Sequence, residues 1–301
     1  LSDDVKTVAE NDGEIWIGYN GNGISKMSDG EIVDIPTVSN FMPNSIGVFS
    51  FDDAGNVWMG GWSRILRYNC DSGKWVEFSD PKAAISSYVM FSGLSFDREG
   101  NLWFGGEDVL GICRFGHITP ADEMISMADT EMPAYTRNIV ADSKGDMWIT
   151  SYNQGLYKYD FNTFAKYDNT EIGGMEYNRP DALGIDSDDN VWFSNHGYLV
   201  KYDNSDFTVL SVPLSDTDFV KTLAVDGDVV WLGTFEGKLY KYSDSKFTMA
   251  ADIAEAVAKV NAVTDNGAVA DGQKYDISGR KVINPSKGEI YIQNGKKIVA
   301  E

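Results

Sequence analysis

Four residues of this chain have the chemistry for proton transfer on a bound substrate: His196, the carboxylates Asp181 and Glu236, and Arg179. An imidazole near carboxylates can act as a general base, and a guanidinium beside it can hold developing negative charge. Such a set would serve a lyase or a hydrolase. The only other histidine is His117, and no Ser-His-Asp set, paired metal ligands or Gly-rich phosphate loop can be read. The turn Asp186-Ser-Asp-Asp189 is rich in carboxylate oxygens, but it lacks the longer loop, the sixth-position Gly and the distal Glu of a calcium hand. No metal and no cofactor is therefore expected. A larger group has the chemistry of recognition: Trp62, Arg64, Tyr88, Tyr135, Arg137, Tyr152, Asn153, Tyr198 and Phe235, joined by Arg179, Asp181, His196 and Glu236. Rings that stack, with Asn, Arg and Asp between them to fix orientation, suit a glycan fragment, a peptide or a protein surface. Non-catalytic binding is the leading expectation, catalysis the alternative, and a structural surface scaffold the third.

The elements that must position these residues are set by a repeat. Trp16, Trp58, Trp103, Trp148, Trp192 and Trp231 follow one another at 42, 45, 45, 44 and 39 residues, each in a phrase such as DDAGNVWMG or DREGNLWFG. A period of this length built from short strands is that of a radial β-array. In the fourth unit, Asn138–Ala141 is a short apolar strand, Asp142-Ser-Lys-Gly145 a tight hairpin and Met147–Thr150 a second strand. Leu156–Tyr159 and Phe164–Tyr167 complete four antiparallel strands. The chain is thus expected to be all-β, a propeller of six four-stranded antiparallel blades, with seven as the alternative.

In such a fold first strands line the axis, and the fourth-to-first and second-to-third connections meet at one mouth. The recognition residues fall on those connections. So do Asn195, Phe41 and Phe219, on the same loops or the approaches between blades. The six repeated tryptophans are expected to wedge between blades, and Trp75 to pack as a fourth-strand aromatic. The third-strand cations Lys26, Arg67, Arg114, Lys158, Lys201 and Lys241 are expected to pair with acidic turn residues of the same or the adjacent blade.

Against 25 Lys and Arg stand 46 Asp and Glu, a net charge of −21 that repels nucleic acid and anionic membranes. Neither is an expected partner, and no apolar run is long enough to span a bilayer. Cys70 and Cys113 have no metal-type spacing and are expected as two buried free thiols, a single bridge being the alternative. LSDDVKTVAE has neither the basic nor the apolar region of a signal peptide, and it opens mid-phrase, so a removed leader is expected.

The phrases resemble the two-component regulator propeller repeat, roughly D-x-x-G-N-x-W-[IF]-G-[TS] followed by Gly-Leu-Tyr-[KR]-Tyr, from Leu1 to about Ala250. Units two to four match best, unit five has lost the turn Gly, and unit six is one residue shorter. The resemblance implies a periplasmic or surface sensor propeller, with signalling left to a separate partner because no kinase accompanies it. Streptogramin lyase propellers are similar more distantly, through unit five, GIDSDDNVWFSNHGYLVKY; that likeness implies a lyase with His196 at the mouth.

Domain organisation is read as a propeller over 1–249, a helical segment and linker over 250–272, and a small β-unit over 273–301. Met249–Val263 is Ala-rich with Ile253, Val257 and Val260 on one face, and Asn294-Gly295 is a hairpin turn following the alternating Glu289–Gln293. Tyr275-Asp-Ile-Ser-Gly-Arg-Lys-Val282 and Lys287-Gly-Glu-Ile-Tyr-Ile292 resemble the C-terminal sorting domain of secreted Bacteroidetes proteins. That resemblance implies export to the periplasm or cell surface.

Overall fold

The computed structural model describes residues 4–21, 23–28, 31–36, 45–62, 64–78, 89–108, 113–127, 133, 135–250, 274–276, 281–282, 290–293 and 296–299; at 107, 108, 113, 114 and beyond 250 it describes the backbone alone. Blade one is β1 (Val5–Asn11), β2 (Glu14–Tyr19), β3 (Ile24–Ser28) and β4 (Glu31–Asp34). Blade two is β5 (Ile46–Phe51), β6 (Asn56–Gly61), β7 (Arg64–Asn69) and β8 (Lys74–Phe78). Blade three is β9 (Val89–Phe96), β10 (Leu102–Asp108), β11 (Cys113–Ile118) and β12 (Met124–Ser126). Blade four is β13 (Thr136–Ala141), β14 (Met147–Ser151), β15 (Gly155–Tyr159) and β16 (Phe164–Tyr167). Blade five is β17 (Leu183–Ile185), β18 (Val191–Asn195), β19 (Tyr198–Tyr202) and β20 (Phe207–Ser211). Blade six is β21 (Val220–Asp226), β22 (Val229–Thr234), β23 (Leu239–Ser243) and β24 (Lys246–Met249). Each blade keeps its strands in chain order, and first strands lie against one another in succession: β1 on β5, β5 on β9, β9 on β13, β13 on β17, β17 on β21. This is the expected six-bladed propeller.

The repeated phrase folds as it does because its hydrogen bonds close within seven residues. In blade two, Asp52 Oδ1 accepts the N–H groups of Ala54 (3.1 Å) and Asn56 (2.8 Å), while Oδ2 accepts Asn56 Nδ2 and Trp58 Nε1, both at 2.8 Å. Asp97 makes the same set with Glu99, Asn101 and Trp103, and Asp186 with Asp188, Asn190 and Trp192. The aspartate thus ties the hairpin and satisfies the indole N–H that a buried tryptophan must otherwise leave orphaned. Where unit five lacks the turn Gly, Asp189 takes the left-handed conformation (φ 61°). Its carboxylate then accepts the N–H (2.8 Å) and hydroxyl of Ser143 in blade four.

Four of the indoles pack on rings of the following blade. Trp16 meets Phe51 and Tyr68, Trp58 meets Phe96, Trp103 meets Tyr159, and Trp148 meets Tyr202, at centroid distances of 5.6–6.5 Å. The first five repeated tryptophans are buried and Trp231 is half-buried. Trp75 packs on Tyr68 at 4.7 Å, as expected of a fourth-strand aromatic. The cations of the third strands behave as expected at three positions: Lys26 pairs with Glu14 (2.6 Å), Lys158 with Asp146 (2.7 Å), and Arg67 with Asp122 of the next blade (2.6 Å). Each also lies over its blade's tryptophan, at 5.0–5.8 Å, as does Lys201 over Trp192.

The glycine after the tryptophan has a packing reason. A Cβ on Gly105 would come within 2.4 Å of Thr136 Cγ2 in the next blade. Blades four and five put a hydroxyl there instead: Thr150 Oγ1 accepts the Asn138 N–H (3.1 Å) and Ser194 Oγ the Ala182 N–H (3.0 Å).

One expectation is corrected. Cys70 is free and exposed rather than buried, because it falls in the β7–β8 turn; Cys113's side chain is not described. The helix expected at Met249–Val263 lies outside the described residues beyond Ala250. In compactness the chain divides into units 1–237 and 238–301. Within the second, β25 (Lys274–Asp276), β26 (Lys281–Val282), β27 (Ile290–Gln293) and β28 (Lys296–Val299) form a sheet in the order β26-β25-β27-β28. Gln293 pairs with Lys296, and the hairpin turn expected at Asn294-Gly295 lies outside the described residues. No described helix is long and apolar enough to cross a membrane.

Candidate functional site

The first strands are irregular at one end. Register shifts in β1, β5, β9, β13 and β21 leave Lys6, Gly47, Ser92, Arg137 and Lys221 as the extra, unpaired residues. A bulge bends the strand and re-aims its side chain. In blade five β17 starts only at Leu183, and Asp181 stands at the matching offset before it. Bulge residues reach the neighbouring first strand: Ser92 Oγ donates to the Thr136 carbonyl (2.6 Å), and Lys221 Nζ lies 3.5 Å from Asp181 Oδ1. Asn138, next to the bulge at Arg137, donates to the Asp181 carbonyl (2.7 Å).

Around this rim the structure gathers most of the residues expected to bind. Arg137 and Arg179 both sit over the ring of Tyr152, at 5.0 and 4.9 Å, and Arg179 also faces Phe219 at 5.5 Å. The Nε of each arginine is buried without a hydrogen-bond partner, as is Oδ2 of Asp181, a residue only 7% exposed. Among the described residues neither guanidinium has an ion pair.

Beside the arginines, four rings lie nearly parallel in a column. Tyr177 stacks on His196 (4.2 Å, 15°), His196 on Phe219 (5.7 Å, 21°) and Phe219 on Phe235 (4.9 Å, 13°). Phe235 is 65% exposed, so the column ends in an open apolar face. His196 itself adopts φ 55°, and its carbonyl accepts the Val220 N–H (2.9 Å), which fixes the loop to the start of β21. Burial and the nearby Arg179 push its pKa below the ordinary histidine value, against the opposing pull of Asp181 and Glu176, so the ring is neutral at neutral pH. Among the described residues no carboxylate hydrogen-bonds its imidazole.

The loop carrying Tyr177 and Arg179 is held by Asn195, which is almost wholly buried. Its Nδ2 donates to the Tyr177 carbonyl (2.7 Å) and its Oδ1 accepts the Arg179 N–H (2.8 Å). Glu236 is exposed and accepts from the hydroxyls of Thr217 (2.6 Å) and Ser215 (3.2 Å) of the approach to β21. Asp218 braces the same approach by accepting the N–H groups of Phe219 and Glu236 and the hydroxyl of Thr234. Asn195→Ala is expected to lower stability by about 1–2 kcal/mol, because two part-buried backbone groups lose their partner. It is also expected to free Tyr177 and Arg179, which hydrogen exchange over 176–180 would register.

The remaining expected residues are dispersed. Trp62 pairs through its backbone with Met90, at the start of β9. Arg64 forms an ion pair with Glu77 of its own blade (3.4 Å), and Tyr198 packs into the core of blade five. The Asn153 carbonyl accepts from Asn178, and Tyr135, at φ 56°, passes its carbonyl to the Tyr152 N–H. Tyr88 lies outside the described residues. Tyr177 belongs to the cluster without having been expected at the mouth, whereas Asn195 and Phe219 were expected on its loops and approaches. Phe219 had a readable signal, since it precedes its first strand at the offset of Tyr135 and Arg179.

Two clefts, of about 640 and 580 Å³, lie at the opposite end among the aspartate turns. His117 lines the second, packed at a tilt of 37° on Trp103 (4.7 Å), with its pKa lowered mainly by burial. Neither cleft includes the ring column. No group of three or more His, Cys, Asp or Glu able to hold a metal is found among the described residues.

No family model matches the chain, and no curated protein matches it. Its fold is similar to that of solved structures at low identity. A catalytically inactive virginiamycin B lyase from Staphylococcus aureus, solved with quinupristin, has TM-score 0.68 at 19% identity, over 82% of this chain and 83% of that one. The extracellular domain of a B. thetaiotaomicron protein ascribed to hybrid two component systems has TM-score 0.63 at 20% identity, over 82% of this chain and 32% of that one. These likenesses establish the propeller fold.

Proposed function

We propose that this chain is an exported, non-catalytic binding or sensory propeller. It takes a glycan fragment, a peptide or a protein partner at the rim formed by blades four to six. The observation that supports this most is the ring column ending at Phe235, set beside two guanidiniums that pair with no described carboxylate. Stacking faces and unspent donors are the means of recognition. His196 has rings against both faces and no carboxylate hydrogen-bonded to it, which suits packing better than proton transfer. The fold likeness to an extracellular sensor domain agrees with this reading, as does the tail's resemblance to a sorting domain. Both favour a place in the periplasm or at the cell surface.

A lyase is the second reading. It draws on the fold likeness to virginiamycin B lyase and on Asp181 and Glu176, whose charges both act on His196.

The deciding experiment is a thermal-shift screen against neutral and acidic glycan fragments, short peptides and divalent cations. A ligand at a hundred times its Kd stabilises the native state by about 2.7 kcal/mol. A shift that persists without product formation supports binding. Turnover of the ligand, abolished in His196→Ala, would replace binding by catalysis. Silence across the panel would favour a scaffold.

A further inference from the structure

Resting on the binding reading, we infer that the rim site takes an oxyanion-bearing saccharide, its carboxylate or sulfate held between Arg137 and Arg179 and a sugar ring laid on the exposed face of Phe235. The charge arrangement carries this. In a chain with 46 acidic residues, two half-buried arginines share one tyrosine ring and pair with no described carboxylate. Each guanidinium lies over the ring of Tyr152, at 5.0 and 4.9 Å, and each buried Nε without a partner costs free energy. Asp181 faces Lys221 instead, and its second oxygen is buried and unpartnered. Glu236 and Asp218 accept from Thr217, Ser215, Thr234 and backbone N–H groups, and among the described residues no carboxylate forms an ion pair with either guanidinium. An oxyanion would give the terminal N–H groups of the two guanidiniums a charged acceptor, in the geometry that guanidinium favours.

The ring column decides what carries the oxyanion. Phe235, stacked on Phe219, ends the column in an open, flat face, Arg179 lies beside Phe219, and neither described cleft encloses the column. A flat apolar face ringed by polar groups suits the apolar face of a pyranose, whose hydroxyls stay in water. A wholly aromatic acid would gain more from an enclosed pocket.

The test is isothermal titration of the whole chain with a trigalacturonate, a sulfated disaccharide and a neutral hexose trisaccharide, at low and high salt. The acidic saccharides are expected to bind at least ten times tighter than the neutral one, with affinity falling as salt rises. Whichever acidic probe binds more tightly identifies the oxyanion as carboxylate or sulfate. Arg137→Ala and Arg179→Ala are each expected to weaken acidic binding about 10- to 100-fold, with partial recovery in Arg179→Lys. Equal affinity for the neutral trisaccharide, or undiminished acidic binding in the folded double variant, overturns the inference while leaving a binding propeller intact. Binding of none of the three also overturns it, and the broader screen then decides the binding reading by itself. If the arginine variants do not fold, the salt dependence and the neutral comparison on the unmodified chain still decide.

Discussion

Trp148→Ala is expected to lower stability by about 3–5 kcal/mol, among the largest losses available to a single substitution here. Trp148 is wholly buried, stacks on Tyr167 of its own blade, packs at a tilt of 55° on Tyr202 of the next, and has Lys158 Nζ 5.1 Å from its ring centre. Its core also contains Leu183, Val191 and Val200 of blade five. Removing the indole therefore opens a cavity between two blades, where the backbone of each is held by its own sheet and cannot collapse to fill it. For a domain of this size the melting temperature is expected to fall by roughly 10 °C. Trp148→Phe keeps a ring in the wedge and should lose much less. Equal losses for the two substitutions, measured by chemical denaturation, would mean that the indole N–H matters and the wedge does not.

Asp142→Ala is expected to cost about 2–4 kcal/mol although it removes no apolar contact. Asp142 Oδ1 accepts the N–H groups of Lys144 (3.0 Å) and Asp146 (2.9 Å), and Oδ2 accepts Trp148 Nε1 (3.1 Å). The first two donors can turn to water, but the indole N–H is sealed in the core and loses the carboxylate that accepts it. Lys158, 3.8 Å from the same carboxylate, keeps Asp146 at 2.7 Å, so the lost ion pair adds little. Asp142→Asn retains one acceptor but turns an amide toward donors, and it is expected to fall close to alanine. Asp160 offers the contrast, since it makes similar turn bonds to Asn162 and Thr163 in full solvent exposure. Asp160→Ala should be far milder. A denaturation midpoint for Asp142→Ala no lower than that of Asp160→Ala would refute the sealed-donor account. Because Asp142 and Trp148 share a hydrogen bond, their losses are expected to fall short of additivity in a double-mutant cycle.

What the sequence could reveal follows the range of the interactions. The D-x-x-G-N-x-W phrase was legible because its bonds join residues two to six apart. Such a local lock fixes hairpin, register and tryptophan placement together. Six copies in order, each too small to bury its own apolar faces, then require a ring. The pairing of Lys26 and Lys158 within their own blades could be read for the same reason. The partner of Arg67 could be named only by kind, since Asp122 is 55 residues away.

The site was legible in part. Loop topology alone placed Tyr152, Arg179, His196 and Phe235 at one mouth, and they do meet there. Topology could not separate them from Arg64, which pairs with Glu77, or from Tyr198, which packs into a core. Asn195 was visible only as a loop residue, because its function as a clamp on Tyr177 and Arg179 depends on a fold-back across 16 to 18 positions. The sequence by itself determined strands, turns, blade number and the wedge residues, all of which rest on short-range hydrogen bonds and a fixed period. Tertiary structure alone decided which bulge residues are re-aimed at the rim, which rings align in a column, and that Arg137 and Arg179 share Tyr152. Those depend on the mutual placement of three blades, and nothing in a single repeat encodes it.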